Sequence, residues 1–192
     1  MIRNVSQILI SDSQLNIPPL IEGAIKTVKE NFKDFNYKLY SKEAIIELLK
    51  KEFDQDTVKA FMKLKPYSYK ADLAKFCILY LRGGWYVDIS IKILLGIEVG
   101  EIEFISFQDC GEGAGRPMPL PYPVQASLFY SKPKHIILET AIKLIIENCR
   151  NENYGVTPVC PTGPGVLGRA LASVGINKNN VMGLFMPLTP FH

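Results

Sequence analysis

The chain is poor in the residues that build metal clusters and disulfide frameworks. Its 192 residues include 4 cysteines and 2 histidines. Cys77, Cys110, Cys149 and Cys160 are widely scattered, with no C-x-x-C pair and no histidine at metal-ligand spacing. That pattern excludes a secreted disulfide framework. Cys77 and Cys149 fall in helical apolar patterns and read as small core residues. Charge of one sign is lacking as well. The net charge of +3 falls short of the basic stripe that DNA or RNA binding requires, so no nucleic-acid partner is expected. No apolar run approaches the roughly 20 residues of a membrane span. The opening MIRNVSQILI is not followed by a small-residue cleavage site, so no signal peptide is expected. Together these absences point to a cytoplasmic protein with no transmembrane segment. Lys26, Lys29 and Lys33 leave room for peripheral contact with anionic lipid, although a solvated helix face is the plainer reading.

What is present is ordinary globular material: 47% hydrophobic and 21% charged residues, enough for one domain with a full core. There is no internal repeat and no linker, so residues 1–192 are expected to form a single domain. Val5–Ile10 is a β-rich run ending at Ser11-Asp12-Ser13. Pro18-Pro19 opens a helix with Ile21, Ala24, Ile25 and Val28 inward. Asn36–Tyr40 reads as a second strand, and Ser41 caps a helix that buries Ala44, Ile45, Leu48 and Leu49. Thr57–Leu64 is a short helix, Pro66 resets the chain, and a central helix spans Ser68–Arg82. Strands are expected at Trp85–Ile89, Glu103–Phe107 and Gln125–Tyr130, with an irregular loop over Gly111–Pro123. Lys132-Pro133 starts a helix to about Asn148, placing His135 in a solvated first turn. Thr162-Gly163-Pro164-Gly165 opens a last helix to Ser173, before an apolar, proline-broken tail. Strands and helices interleave, so the fold class is α/β with a largely parallel sheet flanked by helices.

The stretch Tyr67–Ser90, YSYKADLAKFCILYLRGGWYVDIS, carries the chemistry. Asp72 sits inside an apolar helical pattern, where a carboxylate is costly unless a cation meets it. Lys75, three residues on, shares its face. Gly83-Gly84 suits a helix C-cap. In an extended Trp85–Ser90, Trp85, Val87 and Ile89 point one way and Tyr86, Asp88 and Ser90 the other. Two oxygen ligands, Asp88 and Ser90, then lie at the carboxyl end of a strand, where ligands of open α/β sheets bind. Mg²⁺ or Mn²⁺ suits such a site, since these hard cations combine few protein oxygens with phosphate and water. Tyr86 shares the face and joins the candidate donor-binding residues, although packing within the sheet is the plainer role for it and for Trp85. Asp12, just past the first strand, is a candidate contact to the base or ribose.

The run KADLAKFCILYLRGGWYVDIS resembles the core of the glycosyltransferases that carry the DXD sugar-binding motif. Fungal mannosyltransferases, bacterial capsular and lipopolysaccharide enzymes and, more distantly, clostridial glucosylating toxins belong to that group. Asp72 matches its helix Asp, Lys75 occupies its Arg position, Gly83-Gly84 matches the turn and Asp88 the first Asp of the motif. Val5–Ile10 with Pro18, and Thr162-Gly163-Pro164, are similar to the family's opening strand and its late Thr-Gly-Pro turn. The resemblance implies a GT-A fold, Rossmann-like with a mixed, mainly parallel sheet. It implies transfer of a hexose, with retention, from a UDP- or GDP-hexose to a hydroxyl of a carbohydrate or glycoconjugate acceptor. A role in bacterial surface polysaccharide synthesis follows from the same likeness. Asp72, Lys75 and Asp88 would be the catalytic residues. Asp12, Asp72, Lys75, Tyr86 and Asp88 would hold the donor, and Asp88 with Ser90 the Mn²⁺ or Mg²⁺ ion.

Two departures from that pattern matter. Ser90 stands where the second motif Asp is expected, and a neutral hydroxyl is a poorer metal ligand than a carboxylate. Lys75 in place of Arg loses the planar bidentate fork. A non-catalytic nucleotide-sugar binder derived from such an enzyme is therefore the first alternative. A nucleotidyltransferase is the second, disfavoured by the single motif carboxylate where two metals want paired acids. The chain is short for the family, so a C-terminal truncation is an open expectation, with His192 a speculative further ligand. Thr162-Gly163-Pro164 reads equally as a plain helix start or as an acceptor-side loop.

Overall fold

The computed structural model describes residues 2–11, 17–95, 100–109, 124–175 and 179–185. Asp12, the loop 111–123 and His192 lie outside them. The described elements run β1 (Asn4–Ile8), α1 (Pro19–Asn31), β2 (Asn36–Tyr40), α2 (Lys42–Glu52), α3 (Gln55–Lys63), α4 (Tyr67–Arg82), β3 (Gly84–Val87), β4 (Phe104–Asp109), β5 (Val124–Ser131), α5 (Ile136–Arg150), α6 (Pro164–Val174) and β6 (Asn180–Phe185). The strands form one sheet in the order β2-β1-β3-β5-β4-β6. β1 is parallel to both β2 and β3, and β4 to β6, whereas β5 is antiparallel to β3 and β4. The sheet is mixed and mainly parallel, as expected of an α/β chain.

Period-two alternation divides the strand residues between two cores. Val5, Trp85, Val87 and Tyr130 pack with Val28 and Phe32 of α1. Ile8, Tyr40, Tyr86 and Phe129 face the other way, into a larger cluster with α4, α5 and α6. α4 is central to it: Leu73, Ala74, Phe76, Cys77, Ile78 and Leu79 are all buried. The turn out of α4 requires its two glycines. Gly83 and Gly84 take φ of 62° and 99°, and a Cβ on Gly84 would lie 2.3 Å from the Asn4 carbonyl oxygen. Without a side chain there, β3 can lie directly against β1.

Local side-chain chemistry sets several boundaries. Ser41 caps α2 by accepting from the Ala44 N–H, and Asp54 caps α3 by accepting from Thr57. α3 therefore begins two residues before Thr57. The helix expected from Lys132-Pro133 starts later, at Ile136. Lys132 and Lys134 donate their N–H groups to Glu103 and Tyr80, and Lys134 has φ 58°, so the segment is a turn. His135 is its last residue and the N-cap of α5. It is half-buried rather than solvated: Nδ1 accepts from the Ile137 N–H, Nε2 lies 3.1 Å from Asn180 Oδ1, and the ring packs on Phe104. A strand that the sequence did not suggest, β6, leads into the tail, residues 182–192, and adds to β4 in parallel; the tail's prolines lie outside the described residues. β3 is shorter than expected. After Val87 the Asp88 N–H donates to the Ser127 carbonyl, and the Ile91 N–H closes a turn on the Asp88 carbonyl.

Candidate functional site

β1 and β3 are adjacent and parallel, so their carboxyl ends share one edge of the sheet. α4 leads through Gly83-Gly84 into β3, which brings its first two turns back over that edge. A cleft of about 240 Å³ opens there, lined by Ile8, Ile10, Asp72, Lys75, Tyr86 and Asp88. Ligands of open α/β folds occupy this location.

Asp72 and Lys75 form an ion pair at 2.6 Å, with side chains 15% and 4% exposed. Breaking such a pair by removing one partner would strand the other charge in a poorly solvated place. The Thr162 hydroxyl donates to the second oxygen of Asp72 at 2.7 Å. A Cβ on Gly163 would lie 2.8 Å from that same oxygen. The Lys75 ammonium also sits over the Tyr86 ring, 5.2 Å from its centroid, within cation–π range. Tyr86 is 1% exposed, so its ring packs in the sheet beneath Lys75 and only its hydroxyl works at the edge. That hydroxyl donates to Asp88 Oδ1 at 2.5 Å.

A continuous polar chain therefore runs Thr162, Asp72, Lys75, Tyr86, Asp88. Its electrostatics follow from burial. Burial raises the pKa of Asp88, the Lys75 charge and the Tyr86 hydrogen bond pull it down, and Asp72 pushes it up again. Burial, reinforced by Asp88, holds the Tyr86 phenol well above its ordinary value, so it stays a donor. The Asp88 backbone is fixed as well. Gln7 Nε2 donates to its carbonyl at 3.3 Å, and Gln7 Oε1 accepts from the Tyr37 hydroxyl at 2.8 Å.

Of the expected site residues, Asp72, Lys75, Tyr86 and Asp88 come together in this cleft. Ser90 does not share the strand face of Asp88. The turn after Val87 ends the alternation, and Ser90 is exposed in that turn. Among the described residues no three His, Cys, Asp or Glu side chains converge on a metal-sized space. One carboxylate beside an ammonium does not hold a divalent cation unaided. The donor set fits Mg²⁺ or Mn²⁺ only when a diphosphate supplies most of the oxygens. Thr162 is the site residue whose role the sequence left undecided, because a Thr-Gly-Pro turn reads equally as a simple helix start.

Residues 18–101 match the family model described as the glycosyltransferase sugar-binding region containing the DXD motif. That span includes Asp72, Lys75, Tyr86, Asp88 and Ser90 and leaves out Asp12 and Thr162. No curated protein matches the chain significantly. Among solved structures, the chain superposes on PaToxG glycosyltransferase with a TM-score of 0.68 at 14% identity, covering 90% of this chain and 68% of that one. A glycosyltransferase involved in the glycosylation of the major capsid of PBCV-1 aligns with a TM-score of 0.42 at 11% identity, over 97% of this chain and 84% of that one. The fold is that of a glycosyltransferase, and the family match covers the cleft's own helix–turn–strand unit.

Proposed function

We propose that the protein transfers a hexose from a UDP- or GDP-hexose to a hydroxyl of a carbohydrate or glycoconjugate acceptor, with retention, in the synthesis of bacterial surface polysaccharide. The observation that carries this is the buried Asp72–Lys75 pair facing Tyr86–Asp88 across the carboxyl edge of β1 and β3. Each oxygen of Asp72 has one protein donor and retains a lone pair for a sugar hydroxyl. Lys75 has three N–H bonds and gives one to Asp72, leaving donors for a phosphate oxygen. Asp88 has acceptor capacity on Oδ2 for a ribose hydroxyl, and Asp12 would contact the base or ribose.

Retention implies either attack from the face that the diphosphate leaves or a double displacement. By either route the acceptor oxygen ends bonded to the sugar's anomeric carbon and the bond from that carbon to the diphosphate oxygen is broken. The nucleoside diphosphate leaves with the electron pair, and the acceptor proton passes to it or to solvent. The positive charge of Lys75 opposes the charge that grows on the leaving group. Asp88 would be the protein carboxylate that holds a divalent cation, and that ion would supply further stabilisation of the leaving diphosphate.

The experiment is thermal shift against UDP-glucose, UDP-galactose, UDP-N-acetylglucosamine and GDP-mannose, with and without Mn²⁺, for wild type and Asp88→Ala. A donor at ~100 times its dissociation constant stabilises by about 2.7 kcal/mol. Stabilisation by one donor, greater with Mn²⁺ and lost in Asp88→Ala, is expected. No shift with any donor would end the proposal. A non-catalytic nucleotide-sugar binder is the second reading, favoured by the exposed turn position of Ser90. Binding of a donor without hydrolysis or transfer would select it.

A further inference from the structure

The first turns of α4 separate two concave surfaces. The donor cleft lies on the side of Ser68, Ala71 and Lys75. On the other side is a groove of about 510 Å³, lined by Leu64, Pro66, Tyr69 and Tyr154, with Lys65 and Glu152 among its polar residues. Its volume is that of a small-ligand pocket. Tyr69 and Asp72 are three residues apart and share a helix face. Tyr69 lines the groove and Asp72, one turn further along α4, lines the cleft, so the two surfaces adjoin along this helix.

The remaining wall belongs to the segment between α5 and α6. Lys63 Nζ donates to the Cys149 carbonyl at 2.7 Å and pairs with Glu152 at 3.1 Å, which fixes the rim. Gly155, at φ +68°, packs so closely on Cys160 that a Cβ would lie 2.3 Å from the cysteine Cβ. The Cys160 N–H bonds back to the Thr157 carbonyl. This folded segment carries Tyr154 at one end and, at the other, the Thr162 that bonds Asp72. One stretch of chain thus lines the groove and touches the donor cleft.

We propose that this groove is a glycoside-binding subsite that takes the pyranose ring of the acceptor. A pyranose has an apolar face of C–H bonds and an equator of hydroxyls. Tyrosine rings suit the first, because they offer large rigid apolar area with a polar tip. Lys65 and Glu152 suit the second, as donor and acceptor. A tyrosine 61% exposed at the mouth is a platform for a ring entering from solvent. The inference rests on the glycosyltransferase reading of the adjoining cleft, which supplies the sugar to be transferred.

The test uses the full chain and saturation-transfer NMR with the methyl glycosides of glucose, galactose, mannose and N-acetylglucosamine as probes. UDP and GDP binding is followed in parallel by thermal shift. At least one glycoside should bind wild type, and Tyr154→Ala should weaken it by about tenfold while leaving nucleotide binding intact. Tyr154→Phe should retain glycoside binding, since the ring is kept. Equal binding by wild type and Tyr154→Ala would overturn the subsite, as would binding of UDP or GDP with no methyl glycoside bound. Glycoside binding lost in Tyr154→Ala without any nucleotide binding would sustain the subsite and overturn the donor reading instead. Failure of wild type to bind either class would overturn both.

Discussion

The hydroxyl of Thr162 donates to Oδ2 of Asp72 at 2.7 Å, across 90 positions of sequence. With Lys75 on Oδ1, the carboxylate has a donor on each oxygen and one orientation satisfies both. The turn that leads into α6 therefore helps aim an acid that α4 carries. Thr162→Val keeps the shape and removes the donor, which for a charged acceptor costs about 1.5–3 kcal/mol. The expected outcome is a roughly tenfold or greater loss of donor affinity, with Thr162→Ser close to wild type. Gly163→Ala should lose affinity too, because its Cβ would fall 2.8 Å from Asp72 Oδ2. Isothermal titration with the donor identified by thermal shift measures all three. A Thr162→Val variant that binds like wild type would show that Asp72 is held by Lys75 alone.

Asp88 predicts opposite effects on stability and on function. Burial raises its pKa above 3.8, so the folded protein binds its proton more tightly than the unfolded chain does. Its favourable contribution is complete below the unfolded value and is lost as pH rises through the folded one. At neutral pH the ionised acid is a net cost to the fold. Asp88→Asn removes that cost and keeps an oxygen for the Tyr86 hydroxyl. Urea unfolding should give a higher midpoint for Asp88→Asn than for wild type at pH 7, with the gap closing toward pH ~4. Donor binding should fall in the same variant. An Asp88→Asn midpoint at or below wild type at pH 7 would mean that Lys75 and Tyr86 outweigh burial.

How far the site was legible depends on the range of the contacts involved. Asp72, Lys75 and Gly83-Gly84 are spaced by one helix and its cap, so periodicity alone puts the acid and the cation on one face. Asp88 follows from strand alternation, which holds for Trp85 against Tyr86. It fails at Ser90, because the chain leaves the strand in a turn that the Ile91 N–H closes on the Asp88 carbonyl, just after the last cross-strand bond, from the Asp88 N–H to Ser127 of β5. Thr162 escapes sequence reasoning because its contact spans 90 positions. Thr162 lies in the turn before α6 and its partner on α4, and nothing local separates a helix start from a ligand-positioning hydroxyl. His135 looks like a solvated residue in a helix start until β4 and β6 supply Phe104 and Asn180 as its walls. The pairing of β6 with β4 is a long-range event of the same kind.

That environment gives His135 a pH signature. Burial lowers its pKa below 6.5, the Asn180 bond and Glu103 oppose the shift, and Lys132 adds to it. With the folded value depressed, the stability it contributes is full above the unfolded value and is lost as pH falls through the folded one. Protonation at Nδ1 also removes the acceptor that caps the Ile137 N–H. The melting temperature should therefore drop as pH goes from about 7 to about 5. His135→Asn, which caps without titrating in this range, should flatten that dependence. An unchanged slope in His135→Asn would assign the effect to other groups.

Two glycines should respond to alanine with opposite signs. Gly84 has φ 99°, and its added Cβ would meet the Asn4 backbone at 2.3 Å, where neither strand can yield without opening the β1–β3 pairing. Left-handed strain and overpacking each cost about 1–3 kcal/mol, so Gly84→Ala should lower the urea midpoint severely. The same opening would move Asp88 away from Gln7, which bonds its carbonyl from β1, so any folded fraction should bind donor poorly. Gly23 lies inside α1, with nothing within 4 Å of its added Cβ. Alanine there should stabilise by about 0.5–1 kcal/mol through helix propensity and reduced freedom of the unfolded chain, with donor binding unchanged. Chemical unfolding of both variants checks the pair. A Gly84→Ala protein as stable as wild type would show that β1 and β3 do not need the close approach that brings Asp88 to the cleft.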